Sequence, residues 1–160
     1  MSSAFTPVTV LPDDCQLFPV KGDGFCYMHA ILDALESIGA SISLSRFQFL
    51  CQQYLEIKGS DQTSLMSALT VSRAWKGPLG PELAQLAQET AVHLYQVPIV
   101  ILSCPDHQLK EWRRGPKGPR CGSKGHWRDY IQHQGLQEVR LYLSVSVSKD
   151  GEHYNRFVPH

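Results

Sequence analysis

From Cys26 the apolar positions Met28, Ile31, Leu32, Leu35 and Ile38 recur at three- and four-residue intervals, which predicts an amphipathic helix ended by Gly39. A second stripe, Phe47, Leu50, Cys51, Tyr54 and Leu55, predicts another helix, with Ser43 or Ser45 as its N-cap and a stop near Gly59. Leu65, Met66 and Leu69 extend the pattern to a third helix over about 61–74. Lys76–Gly80 breaks it, and Pro81 suits the first turn of a fourth, whose apolar face is Leu83, Leu86, Ala87, Ala91 and Leu94.

The period then changes. Val97–Leu102 is a short β-rich run of the kind a buried strand uses, and residues 103–128, rich in Gly, Pro and basic side chains, read as a long irregular excursion. Val139, Leu141, Leu143, Val145 and Val147 alternate with polar residues and define one face of a strand. Lys149–Gly151 makes a turn, and Glu152–Val158 returns as a final short strand. Helices first and strands later predict an α+β sandwich. Residues 1–15, rich in Ser, Thr and Pro, read as a flexible N-terminal arm, and 16–160 as a single domain without internal repeats.

With 160 residues the chain can bury a core of its own. Lys plus Arg and Asp plus Glu balance at 15 each, so no global field selects nucleic acid or membrane. No apolar run approaches a membrane span, and the first residues lack a basic segment before an apolar core. The five cysteines are odd in number and sparsely spaced, which favours free thiols in a reducing, cytosolic compartment over a disulfide scaffold. A monomer is expected.

One of those thiols stands at a join. In Val20-Lys-Gly-Asp-Gly-Phe-Cys26, two glycines and an aspartate form a tight turn that runs directly into the first helix. Unpaired N–H groups and partial positive charge at a helix N-terminus favour a thiolate. Backbone amides of the turn around Asp23 and Gly24 can converge on one spot, as an oxyanion site requires. A nucleophilic thiol needs a base, and His153 is the histidine with a partner pattern. In an extended strand it shares a face with Asn155, whose side-chain oxygen can fix the imidazole. Taken singly, each has a blander reading: Cys26 as a buried structural residue and His153 as an exposed hairpin end.

Gly22-Asp-Gly-Phe-Cys26-Tyr27 resembles the nucleophile loop of the ovarian-tumour (OTU) cysteine proteases, usually Asp-Gly-Asn-Cys followed by Leu or Phe. Glu152-His-Tyr-Asn155 resembles their histidine motif, and the segment from Trp75 to Leu83 is similar to the middle of that fold. The resemblance spans roughly residues 16–158 in the right order. It implies a papain-type fold, with a helical part packed on a small, mainly antiparallel sheet. It also implies a cysteine isopeptidase acting on ubiquitin or a ubiquitin-like modifier, without metal or cofactor. Cys26 would be the nucleophile, His153 the base and Asn155 its orienting partner, with Asp23 and Gly24 in the oxyanion loop. Compact OTU domains also occur in viral and pathogen polyproteins and can process them; for such a source the location would be the host cytosol.

The chain departs from the pattern at Phe25, which replaces the usual Asn, and this keeps open a non-catalytic ubiquitin-binding module. Cys104, His107, Cys121 and His126 have zinc-ligand types and knuckle-like spacings, a second alternative whose simpler reading is unpaired loop residues. Seven cations between Lys110 and Arg128, with Trp112 and Trp127 among them, extend that alternative to a zinc-stabilised nucleic-acid-binding module, against the commoner readings of a solvated basic loop or a contact for an acidic partner. Glu82 and Glu89 are candidates for meeting a basic substrate tail, or simply polar residues of an amphipathic helix.

Overall fold

The computed structural model describes residues 10–59, 63–133, 138–148 and 151–159. Strand β1 is Cys15–Phe18; helices α1, α2 and α3 are Cys26–Ser37, Leu44–Ile57 and Thr63–Ala68. A 3-10 turn, Ala74–Lys76, precedes α4, Gly80–Tyr95. Strands β2 (Ile99–Cys104), β3 (Gln108–Gly115) and β4 (Gly118–His126) follow, then α5 (Trp127–His133), β5 (Leu141–Ser148) and β6 (Gly151–Pro159). The fold is α+β, as the pattern predicts.

The helix boundaries follow local chemistry. Ser43 is the N-cap of α2, its Oγ accepting from the Arg46 N–H at 3.2 Å. Gly39, at φ +87°, follows the end of α1 in the left-handed region where a side chain is disfavoured. The third helix is shorter than its apolar spacing predicts: beyond Ala68 the chain turns, with Val71 N–H bonding Ala68 O and Ala74 N–H bonding Val71 O.

One sheet runs β1-β6-β5-β2-β3-β4, antiparallel throughout except for the central β2–β5 pair. The helices α1, α2 and α4 bury Met28, Ile31, Leu35, Phe47 and Leu83 against one face, together with Ile99, Leu141 and Leu143. The other face holds a smaller cluster, Val100, Leu102, Leu109, Trp127, Tyr130 and Phe157. Val145 belongs to the helix-side core, but Val139 and Val147 are exposed, because the sheet's covered width ends before them.

The excursion expected over 103–128 is instead the β3–β4 hairpin, closed by Pro116 and Lys117 between Gly115 and Gly118. Gly and Pro content hid it: along β3 only Trp112 marks the helix-side core and only Leu109 the opposite one. Part of the segment expected as a loose arm is tied down as well. His107 Nε2 donates to Val10 O at 2.8 Å, and Trp127 Nε1 donates to Asp14 Oδ1 at 3.1 Å; residues 1–9 lie outside the described residues.

Candidate active site

The loop before α1 is built by three interactions. Asp23 Oδ1 accepts from the Phe25 N–H at 3.0 Å, an Asx turn that reverses the chain immediately before the helix. His29, one turn into α1, donates Nε2 to Asp23 Oδ2 at 3.0 Å, which locks the carboxylate. Gly24 is buried at φ +96°, and a Cβ there would sit 2.0 Å from the Ser72 carbonyl oxygen. Only glycine permits that close approach. Burial alone would raise the Asp23 pKa, but the hydrogen bonds from His29 and the Phe25 N–H outweigh it and hold the carboxyl below its ordinary range.

Cys26 begins α1 and is buried, with 3 % of its surface exposed. Its Sγ lies 3.9 Å from the carbonyl oxygen of Glu152, the residue before His153 on β6. Burial raises the thiol pKa; the N–H groups of Tyr154, Tyr27 and Cys26 itself work against that, while the Asp23 charge adds to it. The thiol is therefore protonated at neutral pH. Phe25 is the N-cap residue without a side-chain cap, so its ring packs on the core rather than bonding the turn.

On β6, Asn155 is buried and joined to two things at once. Its Oδ1 accepts from the Val20 N–H at 3.1 Å, and its side chain hydrogen-bonds His153. Burial lowers the His153 pKa, and the Asn155 bond offsets part of that. A neutral thiol thus lies beside the strand of a neutral imidazole. The sheet register puts Ser146 of β5 opposite His153 and Ser144 opposite Asn155.

A cleft reaches the chain neighbours of Cys26 and His153, namely Tyr27 on α1 and Glu152 and Tyr154 on β6. A cavity of about 350 Å³ is lined by Tyr27, Trp75, Gly77, Gly151 and Glu152, among others. A Cβ on Gly151 would meet the Trp75 ring at 2.9 Å, and one on Gly80 would meet the Trp75 carbonyl at 2.2 Å, so both glycines let the Trp75 segment close over the start of β6. A second cavity of about 470 Å³, between α4 and the β3–β4 hairpin, shares Glu152 and Tyr154 with the first. Of these residues, the sequence marks Trp75 by its motif, Val20 and Gly151 only as members of turns, and His29 only as a packing or surface residue, whereas the structure bonds it to Asp23; Ser72 carries no signal. A histidine three positions after Cys26, on the next turn, was the available signal for His29.

The other candidate residues do not converge as a set, although the His107 and His126 rings lie 6.1 Å apart. Cys121 is opposite Trp112 and His126 opposite Gln108 in the hairpin register, which separates them along β4. Among the described residues no group of three or more His, Cys, Asp or Glu side chains could hold a metal ion. Trp112 and Trp127 are buried, at 6 % and 3 % exposure, so neither offers a face for stacking a base. Glu89 is buried and already accepts from Lys58 Nζ at 3.2 Å, while Glu82 is exposed in the first turn of α4.

No protein-family model and no curated protein sequence matches the chain. Among solved structures, the crystal structure of an OTU deubiquitinase from Wolbachia pipientis wMel is similar, with a TM-score of 0.56 and 12% sequence identity, over 93% of this chain and 91% of that one. At that identity the likeness is one of fold: the chain has the α+β architecture of an OTU deubiquitinase.

Proposed function

We propose that this protein is a cysteine isopeptidase of OTU type that removes ubiquitin or a ubiquitin-like modifier from protein conjugates in a reducing compartment. The observation that carries the reading is the placement of the Cys26 thiol, at a helix N-terminus and 3.9 Å from the backbone of the strand that bears His153 and Asn155. The fold likeness to an OTU deubiquitinase supports it.

In this reading the modifier's C-terminal glycine enters the cleft beside Trp75 and Gly151. Because burial keeps the resting thiol protonated and His153 neutral, His153 takes the proton as Sγ attacks the carbonyl carbon. The N–H of Cys26 and the Asp23–Gly24 turn face the charge that develops on oxygen. Collapse of the tetrahedral intermediate transfers the proton from His153 to the departing lysine amine and leaves a thioester, which water hydrolyses with His153 again as base. Asn155 holds the imidazole in register with Cys26 throughout. The Asp23–His29 pair keeps the turn in its reactive shape.

The test is a ubiquitin bearing an electrophile at its C-terminus. A covalent adduct on Cys26, abolished in Cys26→Ala and strongly slowed in His153→Ala, is the expected result. Binding of unmodified ubiquitin with no adduct on the wild-type protein would favour the non-catalytic module that Phe25 leaves open. Failure with ubiquitin but labelling by a ubiquitin-like probe would keep the chemistry and change the modifier.

A further inference from the structure

The sheet ends on one side at β4, whose outer edge is paired with no other strand among the described residues. Every residue from Arg120 to Gly125 is exposed. The register with β3 slips at Leu109 and Lys110, so Lys124 is the extra residue of a bulge, and the regular outer edge runs from Arg120 to Ser123. Four residues is also the length over which β1 holds β6. Pro119, just before it, lacks an N–H and closes that edge at its other end.

Two further features bear on what this edge takes. A Cβ built on Gly118, Gly122 or Gly125 meets nothing within 4 Å, so this stretch is both open and unusually bare of side chain. Glycines in a strand commonly mark the close approach of another backbone. The charge is one-sided as well. Lys110, Lys117, Arg120 and Lys124 are exposed and have no ion-pair partner among the described residues. The acid of the hairpin, Glu111, is buried and held by Arg113. Lys110 lies beside Cys121 and Ser123 on the cavity side, and Arg120, opposite Arg113, projects to the other face. Cations therefore flank the edge on both faces.

We propose that the outer edge of β4 binds an acidic, extended polypeptide segment, which adds to the sheet as a seventh strand and sets its carboxylates against Lys110, Lys117, Arg120 and Lys124. Edge lysines repel a second copy of the same strand, which blunts self-association, and they attract a strand of opposite charge. Single-stranded RNA is the weaker match: it cannot pair the regular row of edge N–H and C=O groups as an extended strand does, and the two tryptophans that could stack its bases are buried. The inference does not depend on the thiol chemistry, so it stands or falls separately from the proposed function.

The experiment is a titration of the 15N-labelled protein, followed by amide resonances, with a decapeptide alternating Glu with Val and Thr. The expected result is shifts and exchange protection confined to residues 118–126, with affinity that weakens as salt rises. The same peptide N-methylated at alternate residues keeps its charge but loses its hydrogen-bonding edge, and should bind at least about tenfold more weakly. The double variant Lys117→Glu/Arg120→Glu should lose about fivefold for the acidic peptide and gain for a lysine-containing one. Equal binding of the N-methylated peptide would overturn strand addition. So would the absence of shifts on β4 at millimolar peptide, or tighter binding of an RNA oligonucleotide of equal charge at the same resonances.

Discussion

The Val20 N–H donates to Asn155 Oδ1 at 3.1 Å across 135 positions of sequence. This bond ties the segment that leads to Cys26 to the strand that carries His153, and it uses the same side chain that holds the imidazole.

Asn155→Ala should lower kcat/KM at least about tenfold, because it frees the imidazole and strands the Val20 N–H. Replacing Val20 by its α-hydroxy analogue, which makes the amide an ester, removes only the N–H and should cost less than Asn155→Ala. Asn155→Asp should keep most of the activity and move the acid limb of the pH profile upward, since a carboxylate favours the imidazolium. Equal losses in Asn155→Ala and Asn155→Asp would contradict this assignment.

The pH profile of kcat/KM should have its acid limb below about 6.5, the ordinary histidine value, because burial lowers the His153 pKa. The same shift affects stability. Below about 6.5 the unfolded chain binds a proton that the folded chain does not, so stability should fall as pH drops from there toward the folded pKa. Denaturant midpoints of wild type and His153→Gln, compared across pH 5–7, read this directly: the slope attributable to His153 should vanish in the variant.

Without substrate, Cys26 should alkylate slowly at neutral pH and faster as pH rises past about 8.5, because burial holds its pKa up. The rate of iodoacetamide modification at Cys26, followed by mass spectrometry, checks it. A plateau reached below pH 7 would mean a preformed thiolate–imidazolium pair.

Gly24→Ala should destabilise the protein by at least about 2 kcal/mol and abolish labelling of Cys26, since the new methyl would overlap the Ser72 carbonyl and φ is +96°. Thermal unfolding together with probe labelling separates the two effects.

His29→Ala should leave the fold intact and reduce kcat/KM about two- to tenfold, the loss of one hydrogen bond that fixes the Asp23 turn. Asp23→Asn, which retains an acceptor for the Phe25 N–H, should cost less than Asp23→Ala.

Far from the thiol, Glu111 is buried and accepts from Tyr130 Oη at 2.8 Å and from Arg113, with Arg140 beside it at 3.9 Å. Glu111→Ala should destabilise by about 3 kcal/mol in urea unfolding, because it leaves the buried Arg140 without that charge. Cys26 labelling below the transition should be unchanged.

Helices α1, α2 and α4 were legible because one face of each is buried and that face repeats in sequence. The alternating core of β5 and the pairing of His153 with Asn155 were legible for the same reason. The hairpin was not: β3 and β4 lie at the sheet's edge, where little is buried, so alternation fades and glycine content dominates. The apparent knuckle of Cys104, His107, Cys121 and His126 failed because spacing along a chain says nothing about a strand that carries two of its members apart. Within the site, Cys26 and His153 announced themselves as residue types, whereas Val20 and Ser72 act through backbone atoms that any residue could supply.

The pairing of β1 with β6 has a bearing on how the protein comes into being. Cys15 lies opposite Pro159, and the central β2–β5 pair is parallel, so many native contacts join residues far apart in the chain. Such a topology folds slowly compared with helical bundles, and β1 and β5 cannot complete their pairing until β6 has been made. The thiol is therefore made well before its proposed base, as an ordinary cysteine, and acquires it only when β6 docks. A nascent chain would be chemically silent, and activity would appear in a single late step of assembly.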